Sequence, residues 1–185
     1  AYIRQIIRQV GTTYRIDPKR IYLTGHSMGG GGAWAQGAVL RDIWAGIGPM
    51  SGWFKPTPAP DVKLYKGLPI YILHGEKDRA VPVRLSRMAD SALKKIGHKD
   101  YVYRELEGVG HGVFAPWKKV GAPEIGKMVA WLMAHERPKP ANLKAAMVRL
   151  ARWGKAFGWT PTGSPVGSYE DDADKKDAKK EVKDR

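Results

Sequence analysis

With 185 residues, 43% of them hydrophobic and seven of them Trp, the chain is long enough for one domain with a real core. It has no Cys, which excludes disulfides and thiolate metal sites, and no apolar run approaches the ~20 residues of a transmembrane segment. The formal net charge is +14, but the Lys and Arg residues are scattered and form no recognised nucleic-acid module, so they describe a basic surface and no specific nucleic-acid partner.

Residues 2–14 carry apolar side chains at Tyr2, Ile3, Ile6, Ile7, Val10 and Tyr14, the stripe of an amphipathic helix packed on a sheet. Gly11 is an early stop signal within it. Asp17-Pro18 then predicts a turn feeding a strand over Arg20 to Thr24. That strand runs straight into Gly25-His26-Ser27-Met28-Gly29, followed by a glycine- and alanine-rich helical pattern to about Leu40. Strand, sharp turn and helix are the context in which Gly-x-Ser-x-Gly acts as a nucleophile elbow, lifting the serine hydroxyl clear of the sheet. Side chains at Gly25 and Gly29 are expected to collide across that turn, and Gly29 to Gly32 with Ala33 to pack closely on the strands.

A second strand is expected around Ala45 to Met50. Ser51 to Leu68 reads as an irregular loop, with Pro56, Pro58 and Pro60 near Trp53 and Phe54. Leu68 to Leu73 is a continuous apolar run, the pattern of a strand covered on both faces. It leads into His74-Gly75-Glu76-Lys77-Asp78-Arg79-Ala80-Val81-Pro82, and Pro82 suits the first turn of a helix stopping at Gly97. Tyr101 to Leu106 is a fourth strand, followed by the loop Glu107 to Gly112 and a helix over 123–136. This alternation predicts a parallel α/β sheet with helices on both faces.

Three strand ends then carry Ser27, Asp78 and His111, and the carboxyl ends of such strands are where ligand chemistry collects. A serine hydroxyl needs a base within hydrogen-bond reach. Histidine can take the proton and return it, and a carboxylate fixes the imidazole and compensates its charge. Glu76 is a rival to Asp78 for that last role. His74 is read as structural, His26 as shaping the pocket, and His98 and His135 as surface residues at helix ends. Histidine clusters at metal-ligand spacing are absent from the sequence, so neither a metal nor a cofactor is expected.

The elbow, the His74-Gly-x-x-Asp78-x-x-Val81-Pro82 segment and Gly110-His111-Gly112 together resemble the α/β-hydrolase superfamily, whose triad runs in the order Ser, Asp, His. Ile16 to Gly30 is similar to the branch of phospholipase/carboxylesterases, polyhydroxybutyrate depolymerases and feruloyl esterases, near the prolyl-oligopeptidase-like hydrolases. The resemblance covers about residues 1–136. It implies Ser27 as nucleophile, His111 as general base and acid, Asp78 as the acid that orients it, and the Met28 N–H as an oxyanion donor. The implied activity is cleavage of small-molecule carboxylic esters through an acyl-enzyme. A serine peptidase and a hydrolase-like binding module without turnover are the alternatives.

The resemblance also implies about four further strands ahead of the first helix and an oxyanion loop after the third. Neither is in this sequence, so the expected fold is the C-terminal part of an α/β-hydrolase with the N-terminal strands missing. A homodimer or the missing half would cover the open sheet edge. Beyond residues 1–136, residues 137–168 read as a basic amphipathic helical extension with Leu143, Met147, Leu150 and Trp153 on one side. Residues 169–185 read as a charged disordered tail. Compartment is left open, although members of the resembled family are often secreted.

Overall fold

A computed structural model of the chain describes residues 2–54, 62–113 and 121–138. The prolines at 56, 58 and 60 and nearly all of the 137–168 extension, together with the 169–185 tail, lie outside the described residues. Along the chain the elements are α1 (Tyr2–Thr13), β1 (Tyr22–His26), α2 (Met28–Val39), β2 (Gly46–Met50), a 3₁₀ turn (Val62–Tyr65), β3 (Ile70–Gly75), α3 (Arg84–Lys95), β4 (Tyr101–Leu106) and α4 (Ala122–Met133). The four strands form one parallel sheet in the order β1-β2-β3-β4.

Strand alternation divides the interior into two layers. Ile70 and Ile72 of β3 enter one core with Trp34, Ala38 and Val39 of α2 and Ala89 and Leu93 of α3, and Ile3 and Ile7 of α1 pack against it. Tyr71 and Leu73 point the other way, into a core with Leu106 and with Met128 and Leu132 of α4. Helices therefore cover both faces, and β2 and β3 are buried along their whole length. Each such Ile or Leu contributes about 1.5–3 kcal/mol relative to an exposed position.

The boundaries follow the local chemistry. α1 runs through Gly11 to Thr13, where the Thr12 and Thr13 hydroxyls donate to the Gln9 carbonyl. Its stripe is wider than the face it lays on the core: Ile3 and Ile7 pack inward, while Ile6, Val10 and Tyr14 remain exposed. β3 continues past Leu73 because His74 and Gly75 keep pairing with Glu105 and Leu106. Pro82 lies before α3 rather than in its first turn, and its carbonyl accepts the Leu85 N–H at 3.0 Å.

α3 ends at Gly97, whose φ is +65°, with a pair of bonds from Gly97 N–H to Lys94 O and from His98 N–H to Leu93 O. This is a Schellman ending, which only a left-handed residue completes comfortably. It turns the chain back inward and buries His98, which is 7% exposed. The expectation of a surface residue there is thus overturned: His98 Nε2 donates to the Tyr65 carbonyl at 2.9 Å, and its Nδ1 accepts the Asp100 N–H. His135 is also partly buried, against Trp131 and Asp100.

The elbow glycines divide unequally. A Cβ on Gly25 would lie 2.3 Å from the Gly29 carbonyl oxygen, whereas a Cβ on Gly29 or Gly32 would meet nothing within 4 Å. The collision expected from both sides of the turn comes from Gly25 alone. Gly25→Ala should therefore lower stability by about 1–3 kcal/mol, while Gly32→Ala should raise it by about 0.4–1 kcal/mol. Urea unfolding midpoints of the two variants check the contrast.

Candidate active site

Ser27 directly follows β1 and begins α2 with φ 56° and ψ −115°, a left-handed geometry that costs a non-glycine residue on the order of 1–3 kcal/mol. Its backbone is held on both sides: Ser27 N–H donates to Met50 O at 2.9 Å, and Gly31 N–H donates to Ser27 O at 3.0 Å. The same ladder continues beyond the neighbouring strands, from Ser51 N–H to Leu73 O and from Glu76 N–H to Leu106 O. The parallel register thus brings the ends of all four strands into one row.

Asp78 lies in the turn after β3 with its carboxylate fully buried. Oδ1 accepts the Ala80 and Val81 N–H groups at 2.9 and 2.8 Å. Oδ2 receives Nδ1 of His111 at 2.8 Å and Nε2 of His74 at 3.1 Å. Burial alone would raise the Asp78 pKa, but the His111 bond and the two backbone donors outweigh it and leave it below the ordinary value. Asp78 is thus ionised at neutral pH.

His111 completes the row from the loop after β4. Its Nε2 is 2.8 Å from Ser27 Oγ. An ionised carboxylate only accepts hydrogen bonds, so Nδ1 carries the imidazole proton and Nε2 turns its lone pair to the serine. The loop reaches this place because Gly75 has no side chain: a Cβ there would lie 2.3 Å from Gly110 O. Lys77 N–H adds a bond to Val109 O at 2.8 Å.

The other candidates separate by geometry. Glu76 accepts the Gly108 N–H at 2.8 Å, so it fastens the loop, while Asp78 is the carboxylate on His111. His74 is wholly buried. Its Nε2 faces two acceptors, Val81 O at 2.9 Å and Asp78, so it donates there, and Nδ1 accepts from Ser86 Oγ at 2.7 Å. Burial lowers its pKa despite the Val81 and Asp78 bonds that work against the shift. His26 places Nε2 2.7 Å from the His111 carbonyl oxygen. Neither the His74–Asp78 contact nor the His26–His111 contact follows from sequence reading, although the spacing of His74 and Asp78 within one short motif is a signal for the former. Beside the row, Ser51 has φ 44° and is fully buried, and its hydroxyl has no hydrogen-bond partner among the described residues. Met28, the first residue of α2, extends its side chain into solvent, and its N–H has no acceptor within the helix. Among the described residues no group of three or more His, Cys, Asp or Glu could hold a metal ion.

A parallel sheet with a serine elbow and a serine–histidine–aspartate row at its carboxyl ends defines the α/β-hydrolase class. The sequence model of the phospholipase/carboxylesterase family matches residues 1–115, and the chain belongs to that family. Acyl-protein thioesterase 1 of Gibberella zeae is 30% identical over 106 residues, which are 52% of this chain and 43% of that protein. A bifunctional acetylxylan esterase/xylanase of Neocallimastix patriciarum is 35% identical over 77 residues, covering 42% of this chain and 11% of that protein. The chain therefore spans less than half the length of either relative. Among solved structures, a thermostable esterase superposes with a TM-score of 0.60 at 32% identity, over 73% of this chain and 36% of the other.

Two buried groups make stability depend on pH in the same direction. His74 has a lowered pKa, so the unfolded chain binds its proton first, and stability falls as pH drops below about 6.5. Asp78 is also lowered, so its contribution is present above about pH 4 and is lost as pH falls further. Denaturant midpoints measured between pH 8 and pH 3 should fall through both windows, and Asp78→Asn should flatten the lower one.

Proposed function

We propose that the chain carries the catalytic triad of a serine hydrolase that cleaves carboxylic esters or thioesters through an acyl-enzyme. The observation that carries this reading is the continuous row Ser27 Oγ, His111 Nε2, His111 Nδ1 and Asp78 Oδ2, with 2.8 Å at each junction. Membership of the phospholipase/carboxylesterase family supports the same chemistry.

Ser27 Oγ attacks the acyl carbonyl as its proton passes to His111 Nε2. Asp78 holds the Nδ1 proton and compensates the imidazolium. The tetrahedral oxyanion is met by the Met28 N–H at the positive end of α2. His111 then returns its proton to the departing alkoxide or thiolate, leaving Ser27 acylated. A water molecule repeats the sequence on the acyl-serine: its proton goes to His111, and collapse of the second tetrahedral intermediate returns a proton to Ser27.

A fluorophosphonate probe should label Ser27, and Ser27→Ala should abolish labelling and lower turnover of p-nitrophenyl esters by on the order of 10⁴–10⁶-fold. Absence of labelling in the unaltered chain, or labelling that survives the substitution, overturns the proposal. Faster turnover of aminoacyl-prolyl amides than of esters would assign a peptidase instead.

A further inference from the structure

Resting on the triad reading above, we infer that His26 is a positioning residue, one that holds the main chain of the general base in register with the nucleophile. His26 is the last residue of β1 and immediately precedes Ser27. Its Nε2 lies 2.7 Å from the His111 carbonyl oxygen. A carbonyl can only accept, so Nε2 carries the hydrogen and donates it. The two imidazole rings also touch, with centroids 4.9 Å apart at 43°.

The need for such a bond follows from how the base is carried. The loop holding His111 is fastened mainly to the strand of the acid: Lys77 N–H donates to Val109 O, Gly108 N–H to Glu76, and Nδ1 of His111 to Asp78. The nucleophile belongs to a different strand, two places away across the sheet. The Ser27–His111 hydrogen bond spans that gap only until the proton moves and Oγ becomes bonded to the acyl carbon. The His26 bond uses the main-chain carbonyl of His111, so it persists through both proton transfers. It ties the base to the nucleophile's strand while the imidazole is free to turn between Oγ and the leaving group. Misplacement of a catalytic group by about 1 Å can cost on the order of 10²-fold in rate, which sets the scale of what the bond protects.

Two variants separate the donated hydrogen from the ring contact. His26→Phe keeps a ring against His111 and loses the donor. His26→Gln loses the ring and offers an amide N–H to the same carbonyl. The full chain and both variants would be compared by kcat and KM on a p-nitrophenyl ester, by the rate of fluorophosphonate labelling, by thermal midpoint and by hydrogen–deuterium exchange of the loop around His111. The Phe variant should lose about 10- to 100-fold in kcat and in labelling rate, with KM within about threefold, and should exchange faster at residues 109–113. The Gln variant should recover most of the rate and the protection. A Phe variant that matches the unaltered chain in rate and exchange overturns the inference. So does an equal loss in both variants accompanied by a lowered thermal midpoint, which marks a merely structural residue. If the unaltered chain neither turns over nor labels, the hydrolase reading fails and exchange alone decides the clamp: unchanged protection in the Phe variant then overturns it, and faster exchange at 109–113 supports it.

Discussion

The turn at Ser27 is the constraint around which the described structure is arranged. A serine at φ 56° is unfavourable in isolation, and it persists because its surroundings leave no alternative. The strand before it is paired with β2 through His26 and Met50. The helix after it is packed by Trp34 and Ala38 into the larger core, and Gly25 vacates the volume the Gly29 carbonyl needs. Backbone strain at Ser27 is thus balanced by burial elsewhere in the sheet and the helix that follows it.

The carboxylate of the row is held by the opposite strategy. Asp78 has no exposed carboxylate surface, and four N–H groups surround it. Ionised carboxylates are tolerated in such places only when their lone pairs are satisfied. The two imidazoles on Oδ2 differ in surroundings: His74 is sealed between Ser86 and Val81, whereas the His111 side chain is 29% exposed. One is therefore a fixed buried donor, and the other stands at the solvent-facing end of the row.

Much of this was legible in the sequence. Continuous apolar runs such as Ile70 to Leu73 mark strands buried on both faces, and the four strands stand where such runs and turn residues placed them. That Ser27, Asp78 and His111 would meet was legible because each follows a strand and their residue types are chemically complementary. Less legible were contacts between residues distant in the chain. That His26 reaches the main chain of His111 depends on a sheet register and a loop path that local patterns do not encode. The burial of His98 has the same cause, since the Gly97 turn tells where a helix stops but not what the following residue meets. The exposure of Ile6 and Val10 shows the converse: periodicity reveals an apolar face without saying how much of it finds a partner.

Ser51 gives the row of strand ends a further meaning. It combines a left-handed backbone with a buried hydroxyl lacking a partner among the described residues. A non-glycine residue at φ 44° costs on the order of 1–3 kcal/mol, a sizeable part of the roughly 5–15 kcal/mol typical of a folded domain. The reserve that lets a protein absorb otherwise harmful substitutions is therefore drawn down one strand away from Ser27. The margin left for substitutions elsewhere in the domain is thus set partly at this position.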